Sequence, residues 1–324
     1  MADLLVKNLD AGGHNMNNST VHKLEQNSIQ QKVIDWVMAG AGDFAETDIW
    51  RAYGLIDDQK QICSQTLVKL KEQCEIESVG TRYGWYRRID RSVVKIDWRS
   101  ASTKEFPIQL PFKIHEQARI FPKSIIVVSG EKNTGKTGFC LNVVAMNQNR
   151  YIEILDSIAP IYYYSSEMLA PEFKERLSCF RDVPFKDWNF EPIHRTQNFE
   201  DVVEPDGINI IDFLEIHDKF WLIGEHMTKI WQRLNNGIAI VCVQKADGKE
   251  HGRGADFLNE KPRLTMSLSK RFLSDGQLNG ATLKVTNCKF PRMPSNPNGK
   301  SLDYNCFDGA ELTAIGGWYF QSKK

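Results

Sequence analysis

Gly130-Glu131-Lys132-Asn133-Thr134-Gly135-Lys136-Thr137 is the stretch on which the reading of this chain turns. It fits G-x-x-x-x-G-K-[ST] at every fixed position. The apolar run Ile125-Ile126-Val127-Val128 precedes it, and a helical pattern follows to about residue 147. Glycines let the backbone N–H groups turn inward around phosphates, and a helix N-terminus adds partial positive charge. Lys136 is placed to reach the β- and γ-phosphates, and the Thr137 hydroxyl to bind Mg²⁺. The set expected to hold ATP with Mg²⁺ is Gly130, Glu131, Lys132, Asn133, Thr134, Gly135, Lys136, Thr137 and Gly138.

Outward from this loop, strand and helix patterns alternate. Strands are expected at 124–129, 161–165, 208–213 and 238–244, with helices at about 136–147, 171–180 and 219–235. Such alternation predicts an α/β domain with a mostly parallel sheet and helices on both faces. Three further strands, 264–269, 281–287 and 302–306, close the chain, with a turn at Pro297-Asn298-Gly299 between the last two.

A P-loop needs a second carboxylate for Mg²⁺. Ile208-Asn209-Ile210-Ile211-Asp212 is an apolar strand ending in Asp, which would put Asp212 at the loop. Hydrolysis also needs a group that orients water. Glu167, just past the strand in Tyr162-Tyr163-Tyr164-Ser165-Ser166-Glu167-Met168, is the candidate base, and Glu215 is next. The plainer reading of Glu167 is a carboxylate at a helix N-terminus.

At this point the sequence resembles the DnaB-type replicative helicases and their KaiC-like relatives within the RecA-like P-loop ATPases. Ser165, Glu167 and Met168 match that family's Ser-x-Glu-Met segment, whose Glu is the base. Asp212-Phe213-Leu214 resembles its Asp-Tyr-Leu, and Val243-Gln244-Lys245 resembles a strand ending in a γ-phosphate-sensing Gln. The resemblance covers roughly residues 105–310 and implies an oligomeric ATPase on nucleic acid. Lys289-Phe290-Pro291-Arg292 stands where the family carries Lys-x-Arg, a pair that reaches the neighbouring subunit's ATP. The extra residue departs from that pattern, and a surface basic cluster is the alternative. No arginine lies in the P-loop, the 162–168 segment or the 208–212 strand, so Lys289 and Arg292 become the expected trans-acting cations. The loop 245–263, with Lys249, His251, Arg253 and Lys261 among acids, is read either as a DNA contact or as a solvated surface.

The remainder divides into a polar tail at 1–27, a small domain at 28–91, a linker at 92–118 and the ATPase domain at 119–324. Helices at about 29–40, 44–53 and 58–73, then strands at 74–79 and 85–89, make a winged-helix-like pattern. It could bind duplex DNA through its third helix and the Arg82, Arg87 and Arg88 wing, or dock a protein partner. Tyr83, Trp85 and Tyr86 are read as core.

Lys+Arg and Asp+Glu balance at 41 each, which excludes a strongly basic nucleic-acid coat but not a local groove. No apolar run approaches the ~20 residues of a membrane span, and no secretion signal is visible, so a cytoplasmic location is expected. The seven cysteines are scattered without a C-x-x-C pair, which points to free thiols rather than zinc. Single-stranded or duplex DNA, further copies of the chain and a protein partner are the expected associates. The alternative to a motor is an ATP-dependent switch or loader that assembles partners without unwinding.

Overall fold

The computed structural model describes residues 18–40, 42–214, 222–249 and 260–321. Expectations for 1–17, for Glu215 and for 250–259, including His251 and Arg253, lie outside the described residues. The chain forms two compact units, 1–100 and 101–324.

The smaller unit runs α1 (Asn18–Ala39), β1 (Asp43–Ala45), α2 (Glu46–Tyr53), α3 (Asp57–Glu72), β2 (Ile76–Ser78) and β3 (Trp85–Arg88). Its strands pair antiparallel in the order β1-β3-β2. Helix α2 stops at Gly54, whose φ of 60° is the left-handed conformation that ends a helix at low cost in glycine. Asp57 and Asp58 open α3, and Lys69 and Lys71 lie in its last turn, both favourable to the helix dipole. Val33, Val37, Ile49, Cys63, Leu67 and Ile76 form the core. Helix α1 starts inside the stretch read as a tail. Of the three aromatics read as core, Tyr83 is fully exposed, while Trp85 and Tyr86 are half-buried.

The larger unit carries β4 (Ile125–Gly130), α4 (Lys136–Asn147), β5 (Tyr151–Ile152), β6 (Ser157–Ile158), β7 (Ile161–Ser165), α5 (Ala170–Ser178), β8 (Glu191–His194), β9 (Ile208–Asp212), α6 (Ile223–Arg233) and β10 (Ile238–Gln244). Strands β11 (Leu264–Phe272), β12 (Leu278–Cys288), β13 (Lys300–Phe307) and β14 (Glu311–Phe320) complete it. Among the described residues one sheet runs β14-β13-β12-β11-β4-β10-β9-β7-β8. The six strands from β11 to β8 are parallel, and β12, β13 and β14 are antiparallel. This is the mostly parallel α/β architecture expected from the alternation.

Packing explains why the central strands are apolar throughout. Ile126 and Val128 of β4 join the layer under α4 and α5, with Phe139, Val143 and Phe173. Ile125 and Val127 face the opposite layer, with Met227 and Ile230 of α6. A strand buried on both faces reads as a continuous hydrophobic run. Each such Val or Ile contributes roughly 1.5–3 kcal/mol by leaving water. Asn209 is the polar exception inside β9; its amide is satisfied by the backbone of Glu204 and the Ile238 carbonyl.

The stretch 92–118 is not wholly a linker. Residues from 101 onward belong to the larger unit, where Phe106, Ile108, Leu110 and Ile114 are buried in the main core. Strand β14 and the edge strand β8 were not anticipated.

Candidate nucleotide site

The parallel register brings the site together. Gln244 pairs with Gly130, and Ser165 with Asp212, so four strand ends face one side of the sheet. Ligands of open α/β sheets bind at this carboxyl edge. A cavity of about 410 Å³ lies there, lined by residues 132–138 together with Glu167, Arg176, Asp212, Phe213, Gln244, Cys306 and Gly309.

The loop geometry follows from its sequence. Gly135 has φ 84° at the start of α4 and Asn133 has φ 63°, turns that aim successive N–H groups inward. A Cβ at Gly130 would come within 2.7 Å of the Lys136 side chain, so glycine is required there by space. The Lys136 ammonium donates to the Gly130 and Glu131 carbonyls at 3.1 and 2.9 Å. Burial pushes that ammonium below its ordinary pKa, opposed by charges that include the Asp212 and Glu167 carboxylates.

Asp212 is buried at the end of β9. Burial raises its carboxyl above the ordinary value, opposed by hydrogen bonds from Tyr163 and Thr137 and by the nearby Lys136 and Arg176 cations. The Tyr163 hydroxyl donates to it at 2.7 Å. A carboxylate beside the Thr137 hydroxyl is an oxygen-donor pair of the kind a hard cation takes, so the residues fit Mg²⁺. Glu167 is exposed at the cavity. The serine hydroxyls around it hold the turn: Ser165 Oγ accepts the Met168 N–H at 2.8 Å, and Ser166 Oγ accepts the Phe213 N–H at 3.3 Å.

Not every expected residue lines the cavity. Glu131 turns its carboxylate away and accepts the N–H groups of Gly248 and Lys270 at 2.9 and 2.8 Å. Arg292 ion-pairs with Glu105, and Lys289 donates to the Glu260 carbonyl; neither lines the cavity of its own chain.

Two features went unread in the sequence. Arg176, on α5, enters the cavity and donates to the Gly309 carbonyl at 3.0 Å. The site therefore has an arginine of its own, contrary to the inference from the three motif segments. The second feature is a thiol pair: Cys140 and Cys242 lie with Sγ atoms 3.2 Å apart, and their sulfurs cluster with Asp212. They come from α4 and β10, 102 positions apart, beyond any local pattern.

No protein-family model matches the chain, and no curated protein matches it by sequence. Among solved structures, the RadB recombinase is similar at 13% identity over 61% of this chain and 94% of that one, with a TM-score of 0.44. The flagellar accessory protein FlaH from Methanocaldococcus jannaschii is similar at 14% identity over 66% and 100%, with a TM-score of 0.46. Likeness of that degree carries no argument about activity.

Proposed function

We propose that this chain is a RecA-like ATPase that hydrolyses ATP as an oligomer on nucleic acid. The observation that carries the reading is the convergence of the P-loop, Asp212, Glu167 and Gln244 on one cavity. Lys136 and the N–H groups of 132–138 hold the β- and γ-phosphates; Thr137 and Asp212 hold the metal. Mg²⁺, when bound, neutralises charge on the phosphate oxygens. Glu167 orients the attacking water, and Gln244 reports the γ-phosphate to the loop that follows it. Lys289 and Arg292 act on the neighbouring copy's nucleotide. The smaller unit is the winged-helix module, for duplex DNA or a protein partner.

A second reading, an ATP-dependent switch or loader, is favoured by Arg176, which gives the cavity an arginine without a neighbour. ATP turnover measured with and without single-stranded and duplex DNA separates the two. Stimulation by DNA is expected, and Lys136→Ala abolishes turnover and weakens ATP binding. Wild-type turnover by Lys136→Ala refutes the site. Turnover indifferent to DNA favours the switch.

A further inference from the structure

Beside the P-loop, on the far side of Glu131, lies a second cavity of about 480 Å³ that shares no lining residue with the first. Its wall includes Ser267, Ser269 and Lys270 of β11, Lys284 of β12 and Lys249 after β10. We infer that this cavity binds a phosphate oxyanion, supplied by the phosphodiester backbone of a single nucleic-acid strand. The inference deepens the proposed function and rests on it for the nucleic-acid source of the phosphate.

Lys245 explains the hydroxyls. Its side chain is fully buried, and its ammonium donates to Ser267 Oγ at 2.7 Å and Ser269 Oγ at 2.6 Å. An ammonium only donates, so both oxygens accept, and the hydroxyl protons are directed elsewhere. Ser269, half-buried at the cavity wall, is thereby set as a donor toward an anion. A charge-polarised donor of this kind suits a phosphate oxygen.

The charge balance points the same way. Among the described residues, the wall carries the lysines Lys249, Lys270 and Lys284 together with the carboxylates Glu131 and Asp247. Glu131 is already committed to two backbone N–H groups and lies 4.0 Å from the Lys245 ammonium. Asp247 holds Lys270 at 2.8 Å. Thr282, also on the wall, gives its proton to Asp303, which Arg271 in turn pairs. Among the described residues, a phosphate would therefore compete with Asp247 for Lys270. The volume is that of a small-ligand pocket, enough for one phosphate with its sugar.

The test measures anisotropy of a labelled oligothymidylate with the full, nucleotide-free chain between 50 and 200 mM salt. Lys270→Ala with Lys284→Ala is expected to weaken binding by about tenfold or more. It should also make the log–log salt slope shallower by about 0.7 for each phosphate the lysines no longer neutralise. Lys270→Arg with Lys284→Arg should keep the affinity and the slope. Asp247→Asn should tighten binding several-fold by releasing Lys270. Oligonucleotide binding that none of these variants alters overturns the site and leaves the proposed function standing. If no oligonucleotide binds, calorimetry with inorganic phosphate decides. Phosphate binding that disappears in the double-Ala variant keeps the anion site and assigns it to free phosphate, at the cost of the nucleic-acid part of the proposed function. Phosphate binding unaffected by the lysines, or absent, overturns the site.

Discussion

Replacing Lys245 by Met removes a buried cation and leaves its partner behind. The ammonium is 4.0 Å from the Glu131 carboxylate, and both side chains are almost wholly excluded from water. At that separation an effective dielectric of about 20 gives an attraction of roughly 4 kcal/mol. The variant also escapes the cost of burying the ammonium, and Met fills much of its volume. Glu131 retains its two N–H donors but loses its only cation within 4.0 Å among the described residues. Breaking a buried pair from one side typically costs about 3–5 kcal/mol. We expect about 3 kcal/mol for Lys245→Met, since two of the carboxylate's partners survive. Hydrogen exchange localises the effect: amides of β4, β10 and β11 should exchange about 10²-fold faster, at about 1.4 kcal/mol per tenfold. Glu131→Gln alone should also destabilise. The double variant should lose about 1–3 kcal/mol less than the two losses added together. Exchange accelerated by less than about fivefold in Lys245→Met, or strictly additive losses, would refute the account of this pair.

Glu167→Gln should keep ATP bound while slowing hydrolysis by ~10²-fold or more, the scale of losing a positioned base; normal turnover puts the base elsewhere. Arg176→Ala should raise the dissociation constant of Mg²⁺–ATP by about tenfold, as removal of one charge-assisted hydrogen bond worth about 1.5 kcal/mol would. An unchanged constant in calorimetry would remove Arg176 from the nucleotide. Arg292→Ala should leave nucleotide affinity nearly intact and cut turnover by ~10³-fold. Its exposed pair with Glu105 is worth little to stability, so a folding defect is not expected. Mixing Arg292→Ala with Lys136→Ala should restore part of the activity, because some interfaces then join an intact loop to an intact finger. A monomer hydrolysing ATP at full rate in dilute solution removes the trans-acting role.

What the sequence disclosed was local. The P-loop, the strand ending in Asp212 and the turn carrying Glu167 each declare themselves within eight residues or fewer, because a strand, a turn and a polar residue in fixed order determine where that residue points. Arg176 escaped because its position depends on how α5 packs, through Phe173 and Leu177, onto the layer under the sheet. The 101–118 stretch reads as a linker because Pro107 and Pro111 erase periodicity, although Phe106, Ile108, Leu110 and Ile114 are core residues. Strand β8 contains Pro192, which lacks a ladder donor and is tolerated because β8 is an edge. Strand β14, also an edge, contains Gly316 and Gly317 and is mostly exposed or half-buried, so its alternation is too weak to register. Helix α1 begins in an Asn-rich segment with no acidic first turn and no basic last turn to mark its ends.

The position of β4 between β10 and β11 gives the loop two different walls. The Gly130 carbonyl accepts the Lys245 N–H at 3.0 Å on one side, and the Glu131 N–H donates to the Leu268 carbonyl at 3.2 Å on the other. The Glu131 carboxylate repeats the pattern with its side chain, reaching Gly248 after β10 and Lys270 on β11. Lys136 meanwhile holds the Gly130 and Glu131 carbonyls from within the loop. The same two residues therefore touch the phosphate-seeking lysine and both flanking strands. A glycine is obligatory at 130 because Lys136 crosses it, and an acid at 131 is matched to a buried lysine that follows β10. The variable positions of a P-loop are free with respect to phosphate, but here position 131 is fixed by the sheet. It follows that Glu131→Ala would alter the second cavity as well as the loop, whereas Lys132→Ala, at an exposed position on the nucleotide side, would leave the flanking strands untouched.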